Sequence, residues 1–554
     1  MNKKEKIFAF ISLAIACFLT VLDGTIVNVS LPSMANYFNT NITGISWVST
    51  SYLIPFSALL INFSKIADIY GRKKLFLIGL FIFGISSVCC GLSTSLPMII
   101  FFRIIQGVGA AILTPLAIPL GIELFGKDAM GKLAIIIGMI ISISAASGPV
   151  LGGVLNEAFN FKAIFYVNIP FILIALFLGK KYVVECYDRT IEKKVDIVGS
   201  ILLAYGLGAL TFLLVKGNEY GWSSNKIIFL MITSLVSIII FLIYERKIPN
   251  AMIDFSLFKT KSYTASIILI SIIFFAYMPI SYLMNFYLEN QLGYSVLKSG
   301  LIIGITSATS FIMSPIFALI SKKTSSRVVS FCAIVFISLG DLMFIFMNSS
   351  NNTKIIYIAF IILGLGMAST TPLYQSAFEE ISLDKNGMAS GVLNSLRQLT
   401  ACIAIALVST LSTHYTNIAI DNTKNKIIEK VNENVVLEQE VKDTINDKIN
   451  DSSASKGEVF SKEMVHNIIS QKEKTILPTV PQNMQEAVSK KFQAQEIEVN
   501  KVLQDINKIK EDESNEVYNK SYMITGIIAL FGLFIVPFNI RNEIKSGKKS
   551  KAIA

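Results

Sequence analysis

The sequence predicts an all-α integral membrane protein, and three observations carry that reading. Of 554 residues, 53% are hydrophobic and only 16% charged, and the mean hydropathy is +0.60, too apolar for a soluble chain of this length. The apolar residues come in successive runs of about 20, the length a helix needs to cross a bilayer core of roughly 30 Å. Finally, Lys and Arg concentrate in every second loop, the pattern that orients multi-pass membrane proteins.

Fourteen spans follow in order. The first, 7–30, follows Lys3, Lys4 and Lys6; its start resembles a signal peptide, but no small-residue cleavage site follows, so it reads as a retained span. Spans 46–67 and 75–94 flank the basic turn Arg72, Lys73, Lys74. Span 98–121 holds an arginine, and 133–155 is rich in glycine. Span 162–178 ends on Lys180 and Lys181, with Arg189, Lys193 and Lys194 beyond. Spans 196–216 and 226–244 precede Arg246 and Lys247, and 264–288 and 298–320 precede Lys322, Lys323 and Arg327. Spans 328–347, 355–377, 391–413 and 521–540 complete the set before Lys548, Lys549 and Lys551. The alternate short loops carry single cations, Lys162, Lys226, Lys298 and Lys354. The pattern puts both termini in the cytoplasm, in agreement with an even number of spans. The net charge of +11 therefore reports topology and not a nucleic-acid partner.

Residues 414–520 differ in composition, with 15 lysines against 19 of the chain's 38 acidic residues. With span 391–413 ending outside, the segment is extracellular. Apolar residues recur at helical spacing in 424–449 (Ile427, Val431, Val435, Leu437) and in 482–512 (Val488, Phe492, Ile497, Leu503). Pro478, Pro481 and the DSSASKG turn at 451–457 break the pattern. A helical hairpin is one reading and a disordered loop the other.

Several chemistries find no support. Cys17, Cys89, Cys90, Cys186, Cys332 and Cys402 lack metal-ligand spacing and read as small apolar packing residues. GKDAMGK at 126–132 starts like a phosphate-binding loop, but Leu133 stands where Ser or Thr is required and no strand precedes it. The only histidines, His414 and His466, fall at or within the outer segment. With no metal constellation, cofactor site or nucleophile and base pair, the chain does not read as an enzyme.

The motifs that remain are polar groups placed against the bilayer. SKIADIYGRKK at 64–74 joins two spans and holds Arg72 and Lys73; Gly71 permits a tight turn, and Asp68 is free to pair with a cation or to meet a helix N-terminus across the molecule. FFRIIQGVGAA puts Arg103 inside a span, where a charge lines an aqueous cavity or pairs internally. GMIISISAASGPVLGG presents Gly138, Gly148, Pro149, Gly152 and Gly153, which let a neighbouring helix approach closely. FLTVLDGTIVNVSLP places Asp23 in an apolar run.

Together these segments resemble the major facilitator superfamily, in particular the fourteen-span drug:proton antiporter-2 group of multidrug exporters. LDGTIVNVSLP is similar to that group's first-span signature, SKIADIYGRKK to the superfamily's loop 2–3 motif with Ser64 where Gly is usual, RIIQGVGAA to the span-4 arginine motif, and GPVLGG to the antiporter motif. FKAIFYVNIP, YLENQLGYSVLKSG and NSLRQLTACIA resemble later landmarks. Phe161-Lys162 replaces a usual Trp-Arg, and Thr400 and Ala401 replace usual glycines. The resemblance covers 1–413 and the last span.

It implies two six-helix bundles with two additional central spans. The corresponding domains are 1–180, the N-terminal bundle; 181–262, the two inserted spans; 263–413, five helices of the C-terminal bundle; 414–520, the extracellular loop; and 521–554, the last span and tail. It implies alternating access without a cofactor, driven by a proton gradient, in a monomer of the cell membrane that carries a small lipophilic substrate against protons. Asp23 lies about 24 Å along the first span, and a buried carboxylate there can hold a proton from outside or a cation from within, but not both comfortably. The other reading is a structural cap on a helix interrupted near Gly24 and Pro32. Arg103, Asp341 and Glu289 join Asp23 as coupling candidates, Asp341 being equally open to a local ion pair. Asn28, Tyr52, Phe56, Gln106, Tyr282, Asn285, Asn394, Arg397 and Gln398 are candidate cavity residues, the aromatics as stacking surfaces or as core. The cargo is a lipophilic cationic drug or toxic compound; the alternatives are an endogenous lipid or anionic amphipathic solute and, more remotely, a membrane-anchored receptor or scaffold acting through the outer loop.

Overall fold

The computed structural model describes the chain except residues 127–129, 188–195, 249–252, 254, 348–352, 379, 382–385, most of 435–475, and 540–554. The basic residues Arg189, Lys193, Lys194, Lys548, Lys549 and Lys551, and His466, lie outside the described residues. Helix α1 is Lys3–Tyr37, α2 Ile42–Tyr70, α3 Arg72–Leu92, α4 Leu96–Leu113, α5 Ala117–Phe125, α6 Met130–Phe159, α7 Ala163–Tyr166 and α8 Asn168–Tyr182. Then come α9 Ile197–Tyr220, α10 Asn225–Glu245, α11 Lys261–Phe286, α12 Val296–Lys323, α13 Ser326–Met343, α14 Thr353–Ala368, α15 Thr370–Phe378, α16 Asn386–Glu433 and α17 Gln482–Leu530. Among the described residues there are twelve segments long and apolar enough to cross a membrane, and α2, bent by 52° between Ile42–Leu60 and Asn62–Tyr70, adds a thirteenth. The 30-residue α6 is the fourteenth long helix, as the expected order of spans requires. The protein is a multi-pass membrane protein.

Local chemistry explains the helix ends. Asn2 and Glu5 form a reciprocal capping box at the start of α1, and Asn41, Asp196 and Ser295 cap α2, α9 and α12 by accepting from the backbone N–H of Gly44, Gly199 and Lys298. α2 stops at Gly71, whose φ of 112° favours glycine. α1 is not interrupted near Gly24 or Pro32: it runs through both, because the one backbone hydrogen bond a proline removes is tolerated where neighbouring helices enclose the segment. The reading of Asp23 as a cap on a broken helix is thereby corrected.

Small residues set the packing. A Cβ on Gly109 would stand 2.9 Å from the Phe83 backbone nitrogen, and one on Gly366 2.9 Å from that of Ile337, so α3 with α4 and α13 with α14 approach at backbone distance. Gly152 lies against Ile26 and Val29 of α1, while Gly153 lies against Leu297 of α12, where a Cβ would be 2.8 Å from Leu297 Cα. Gly300 abuts the Pro149 carbonyl. Of the glycine-rich motif, Gly148 also meets Thr25 of α1; the surroundings of Gly138 lie outside the described side chains. α6 thus bridges α1 of the first half and α12 of the second. Further ties join the halves: Thr43 Oγ1 donates to Ser409 O at 3.2 Å, the Tyr282 hydroxyl to Ile42 O, the Ser395 hydroxyl to Ser57 O, and the Leu297 N–H to Glu157 Oε2 at 3.1 Å. α9 and α10 pair through Ser234 to Gly206 O at 2.8 Å and Ser237 to Leu202 O at 2.7 Å. α9 then meets α2 at Asn62 and α16 at Thr410 and Cys402, so the inserted pair lies along the seam. Phe81, Phe101, Phe177, Phe229, Ile312 and Leu319 point outward, as lipid-facing side chains do. The six cysteines are free, four of them buried, as packing residues should be.

A second compact unit is formed mainly by His414–Asn519. Within it the end of α16 and the start of α17 run antiparallel around Ile427, Val431, Phe492, Val502, Ile506 and Val517. The rungs are Lys426 to Glu513 at 2.6 Å, Lys430 to Asp505 at 3.6 Å and Asn434 to Glu498 at 3.2 Å. Lys501 and Asn434 hold the Glu498 carboxyl below its ordinary range by hydrogen bonding. Within the expected helical stretch 424–449, α16 runs to Glu433 and Gln439, Lys442, Asp443 and Asn446 are helical beyond it, and neither 413 nor 521 is a helix boundary, since α16 and α17 run through them. Apolar spacing there continues into an amphipathic pattern without a breaker, so nothing local ends the helix.

Replacing Gly153 by Leu should overpack the contact of α6 with α12 and cost about 1–3 kcal/mol, read as a lower melting temperature of the detergent-solubilised protein; Gly208→Ala, where a Cβ meets nothing within 4 Å, should not reproduce a loss of that size.

Candidate functional site

Asp23 is fully buried, and its carboxylate is the centre of a set of donors drawn from neighbouring helices. Arg103 of α4 pairs with Oδ2. The same Arg103 Nη1 donates to Gln106 Oε1 at 2.9 Å, and Gln106 Nε2 donates to Asp23 Oδ1 at 2.9 Å. Three residues apart on one helix, Arg103 and Gln106 share a face, which lets both grip one carboxylate. Arg103 Nε donates to Val48 O of α2 at 2.9 Å, and its guanidinium lies 4.2 Å from the centre of the Tyr52 ring, a cation-π contact. The Tyr52 hydroxyl donates to Thr20 O of α1 at 3.1 Å. From α8, Asn168 Nδ2 reaches Asp23 Oδ1 at 3.4 Å and Ser87 Oγ of α3 at 3.0 Å, and Ser87 donates to Phe165 O at 2.8 Å. Gly107 makes the approach of α4 to α2 possible: a Cβ there would stand 2.7 Å from Pro55 Cγ.

Taking two charges out of water costs several kcal/mol per ion, and only close pairing with extra hydrogen bonds offsets it. The Asp23 cluster has that form. It is a site where a proton added to the carboxylate would remove the counter-charge of Arg103 and alter contacts on five helices at once.

The remaining candidates divide between core and open positions. Tyr52 and Phe56 are buried core residues, as is Tyr282, so the expectation that they present stacking faces to a drug is corrected for this conformation: one Tyr52 face is covered by Arg103, and the Tyr282 hydroxyl is bound to Ile42 O. Gln106 is likewise fully buried in the cluster, not on a cavity wall. Asn28 is buried and accepts from Ser49 at 3.1 Å. Asn285, expected among the cavity residues, is fully buried, donating to Ser281 O at 2.6 Å. Glu289 is half-buried in the π-helical turn Tyr287–Gln291, where its Oε1 has no hydrogen-bond partner. Asp341 is fully buried on α13 against Gly526 of α17, with the Thr525 hydroxyl as a polar neighbour; among the described residues the local ion pair weighed for it is absent. Asn394, Arg397 and Gln398 are half-buried on α16.

At the end of α2 a second polar arrangement forms. Asp68 and Arg72 pair at 2.6 Å. Glu185, in the segment after α8, accepts the backbone N–H groups of Lys73 at 2.8 Å and Lys74 at 3.1 Å, capping the positive start of α3. Arg72 N–H donates to Cys186 O at 3.1 Å, and Lys73 Nζ to Lys180 O at 2.9 Å. Burial pushes the Cys186 thiol up against the opposing pull of Arg72. Sequence reasoning singled out neither Asn168 nor Glu185. Asn168 lies within FKAIFYVNIP, which drew notice only as a whole stretch, and nothing in the sequence pairs Glu185 with a turn more than a hundred residues earlier.

The family model described as Major Facilitator Superfamily matches residues 13–405. The chain is 31% identical over 419 residues to the multidrug resistance protein Stp of Mycobacterium tuberculosis, covering 74% of this chain and 76% of that one. It is 30% identical over 407 residues to the riboflavin transporter RibZ of Clostridioides difficile, covering 73% and 88%. Among solved structures, a bacterial homologue of the human lysosomal transporter Spinster, inward-facing and unoccupied, superposes with a TM-score of 0.60 at 13% identity, covering 98% of this chain and 100% of that one.

Removing only Arg103 (Arg103→Gln) should strand a buried carboxylate and cost about 3–5 kcal/mol. The double variant Asp23→Asn, Arg103→Gln should melt above the single variant, a comparison that thermal unfolding in detergent reads directly.

Proposed function

The chain belongs to the major facilitator superfamily, and we propose that it exports lipophilic small molecules, drugs among them, from the cytoplasm in exchange for protons. It is a membrane transporter and not an enzyme. The names of its multidrug-resistance relatives support the cargo class, and the buried Asp23 cluster carries the coupling. Both termini are cytoplasmic, as the basic loops imply, and Thr43, Tyr282, Glu157 and Leu297 then tie the halves on the outer side. This is the arrangement of an inward-facing carrier.

Protonation of Asp23 from outside releases Arg103 from its counter-ion and loosens the junction of α1, α2, α4 and α8, so that binding of the proton and of cargo compete. Asp341 and Glu289 are further candidate proton carriers, each a carboxyl group with an unpartnered oxygen. Asp68, Gly71, Arg72 and Lys73, strapped by Glu185, form the inner gate, and the glycines of α6 form the surface on which the halves rock. The transporter works as a monomer.

Two outcomes test this reading. In inside-out vesicles, uptake of a fluorescent lipophilic compound should rise with an imposed proton gradient in the parent and lose that dependence in Asp23→Asn, while downhill equilibration persists; gradient-driven uptake intact in the variant would remove Asp23 from the coupling. Glu185→Ala should free the α3 terminus and speed the interchange of inner and outer exposure, measured as faster labelling of a cysteine introduced at the inner mouth or as an altered turnover rate with unchanged cargo KM; unchanged labelling and turnover would leave Glu185 as a passive cap.

A further inference from the structure

Two arginines lie within the membrane helices of the opposite halves, and their surroundings differ. Arg103 has a carboxylate, an amide oxygen and a carbonyl as acceptors. Arg397, about 14 Å from the start of its span at Met388 by helical rise, has no carboxylate within salt-bridge distance among the described residues. Its Nη1 donates to the Tyr374 hydroxyl of α15 at 3.2 Å, its guanidinium lies 5.1 Å from the Phe274 ring of α11, and its Nε is buried with no acceptor. An arginine in mid-span costs about 2.5–3.5 kcal/mol on insertion scales and marks a pathway or a binding partner. A ring and a neutral hydroxyl leave that charge uncompensated.

We propose that Arg397 is the headgroup contact of a binding subsite for an oxyanion, a carboxylate or a phosphate, borne by an amphipathic aromatic molecule. The guanidinium is a planar fork of donors matched to two oxygens of such a group, and the unspent Nε lies on that fork. Phe274 and Tyr374 border it with an aromatic face and a hydroxyl. Asn394 and Gln398, at three residues before and one after on α16, add half-buried amides. Asn394 Nδ2 donates to Ser390 O at 3.0 Å and to Ser390 Oγ at 3.4 Å, contacts within its own helix that a ligand oxygen would compete for. The first half offers an anion no rival contact, because Arg103 is already neutralised by Asp23. This deepens the transport reading: where the cargo is carried between the halves, the charge it meets is positive, which selects anionic or zwitterionic compounds.

The test uses three pyrene probes of similar bulk: pyrenebutyrate, its neutral methyl ester, and a pyrenebutyl-trimethylammonium. Binding to the full-length protein in neutral detergent is followed by thermal shift and fluorescence anisotropy, and transport in neutral-lipid proteoliposomes. Arg397→Gln should weaken binding of pyrenebutyrate at least about tenfold, the loss of a charge-assisted pair, with the ester and the ammonium probe unmoved; Arg397→Lys should recover part of the loss. If pyrenebutyrate binds through Arg397 and none of the probes moves across the bilayer, the export reading fails while the subsite stands. Co-purification of phosphatidylglycerol with the parent but not with Arg397→Gln, in the absence of pyrenebutyrate transport, would identify a resident lipid as the source of the oxyanion. Equal pyrenebutyrate binding by the parent and Arg397→Gln, or equal loss of all three probes in a variant that melts normally, would overturn the proposal.

Discussion

A charge held inside the bilayer must find its counter-charge inside the bilayer, and the ion pair of Asp23 with Arg103 is where this structure meets that demand. Neither group reaches water, so attraction between them and the hydrogen bonds around them have to offset the desolvation of both. That requirement reaches outward. Gln106 must share the face of Arg103, α2 must turn the Val48 carbonyl inward, and Tyr52 must lie over the guanidinium. Asn168 closes the side toward α8. Glycine at 107 lets α4 come close enough for all of this. The first half is accordingly a clasp with its charges accounted for.

The second half is built otherwise. Arg397 Nε and Glu289 Oε1 lack partners among the described residues, and Asp341 has the Thr525 hydroxyl beside it but no counter-charge there. Asp341 is enclosed against α17, whereas Arg397 lies among helices α11, α15 and α16. Unpaired groups in a low-dielectric interior are costly, so they are retained where a second conformation or a bound molecule supplies what is missing. One half thus holds a self-contained switch and the other holds unspent contacts. Glycine-lined contact between α6 and α12 lets the two halves meet without interlocking side chains.

Parts of this were legible beforehand. Arg103 and Gln106 are three residues apart, and that spacing alone puts them on one face; an acid and an arginine isolated in apolar runs have few ways to be tolerated except together. The glycines of 148–153 announced a close helix contact, and α6 makes two. Tyr52 and Tyr282 misled because an aromatic in a span has the same local signature whether it faces a cavity or the core. The helices of spans 391–413 and 521–540 run on past those limits, which are also where the second compact unit begins and ends: hydropathy marks where a helix leaves lipid, not where its hydrogen-bond ladder ends.

Sequence by itself determined the class of molecule, the succession of apolar helices and the short list of charges that cannot be incidental, because apolar length and isolated ionisable residues are local properties that the bilayer enforces one segment at a time. Only the tertiary structure decided which charges are already satisfied. Asp23 is spent on Arg103, Glu185 on a helix start more than a hundred residues away, and Arg397 on nothing that cancels it, since partnership depends on distances between helices that no single span encodes.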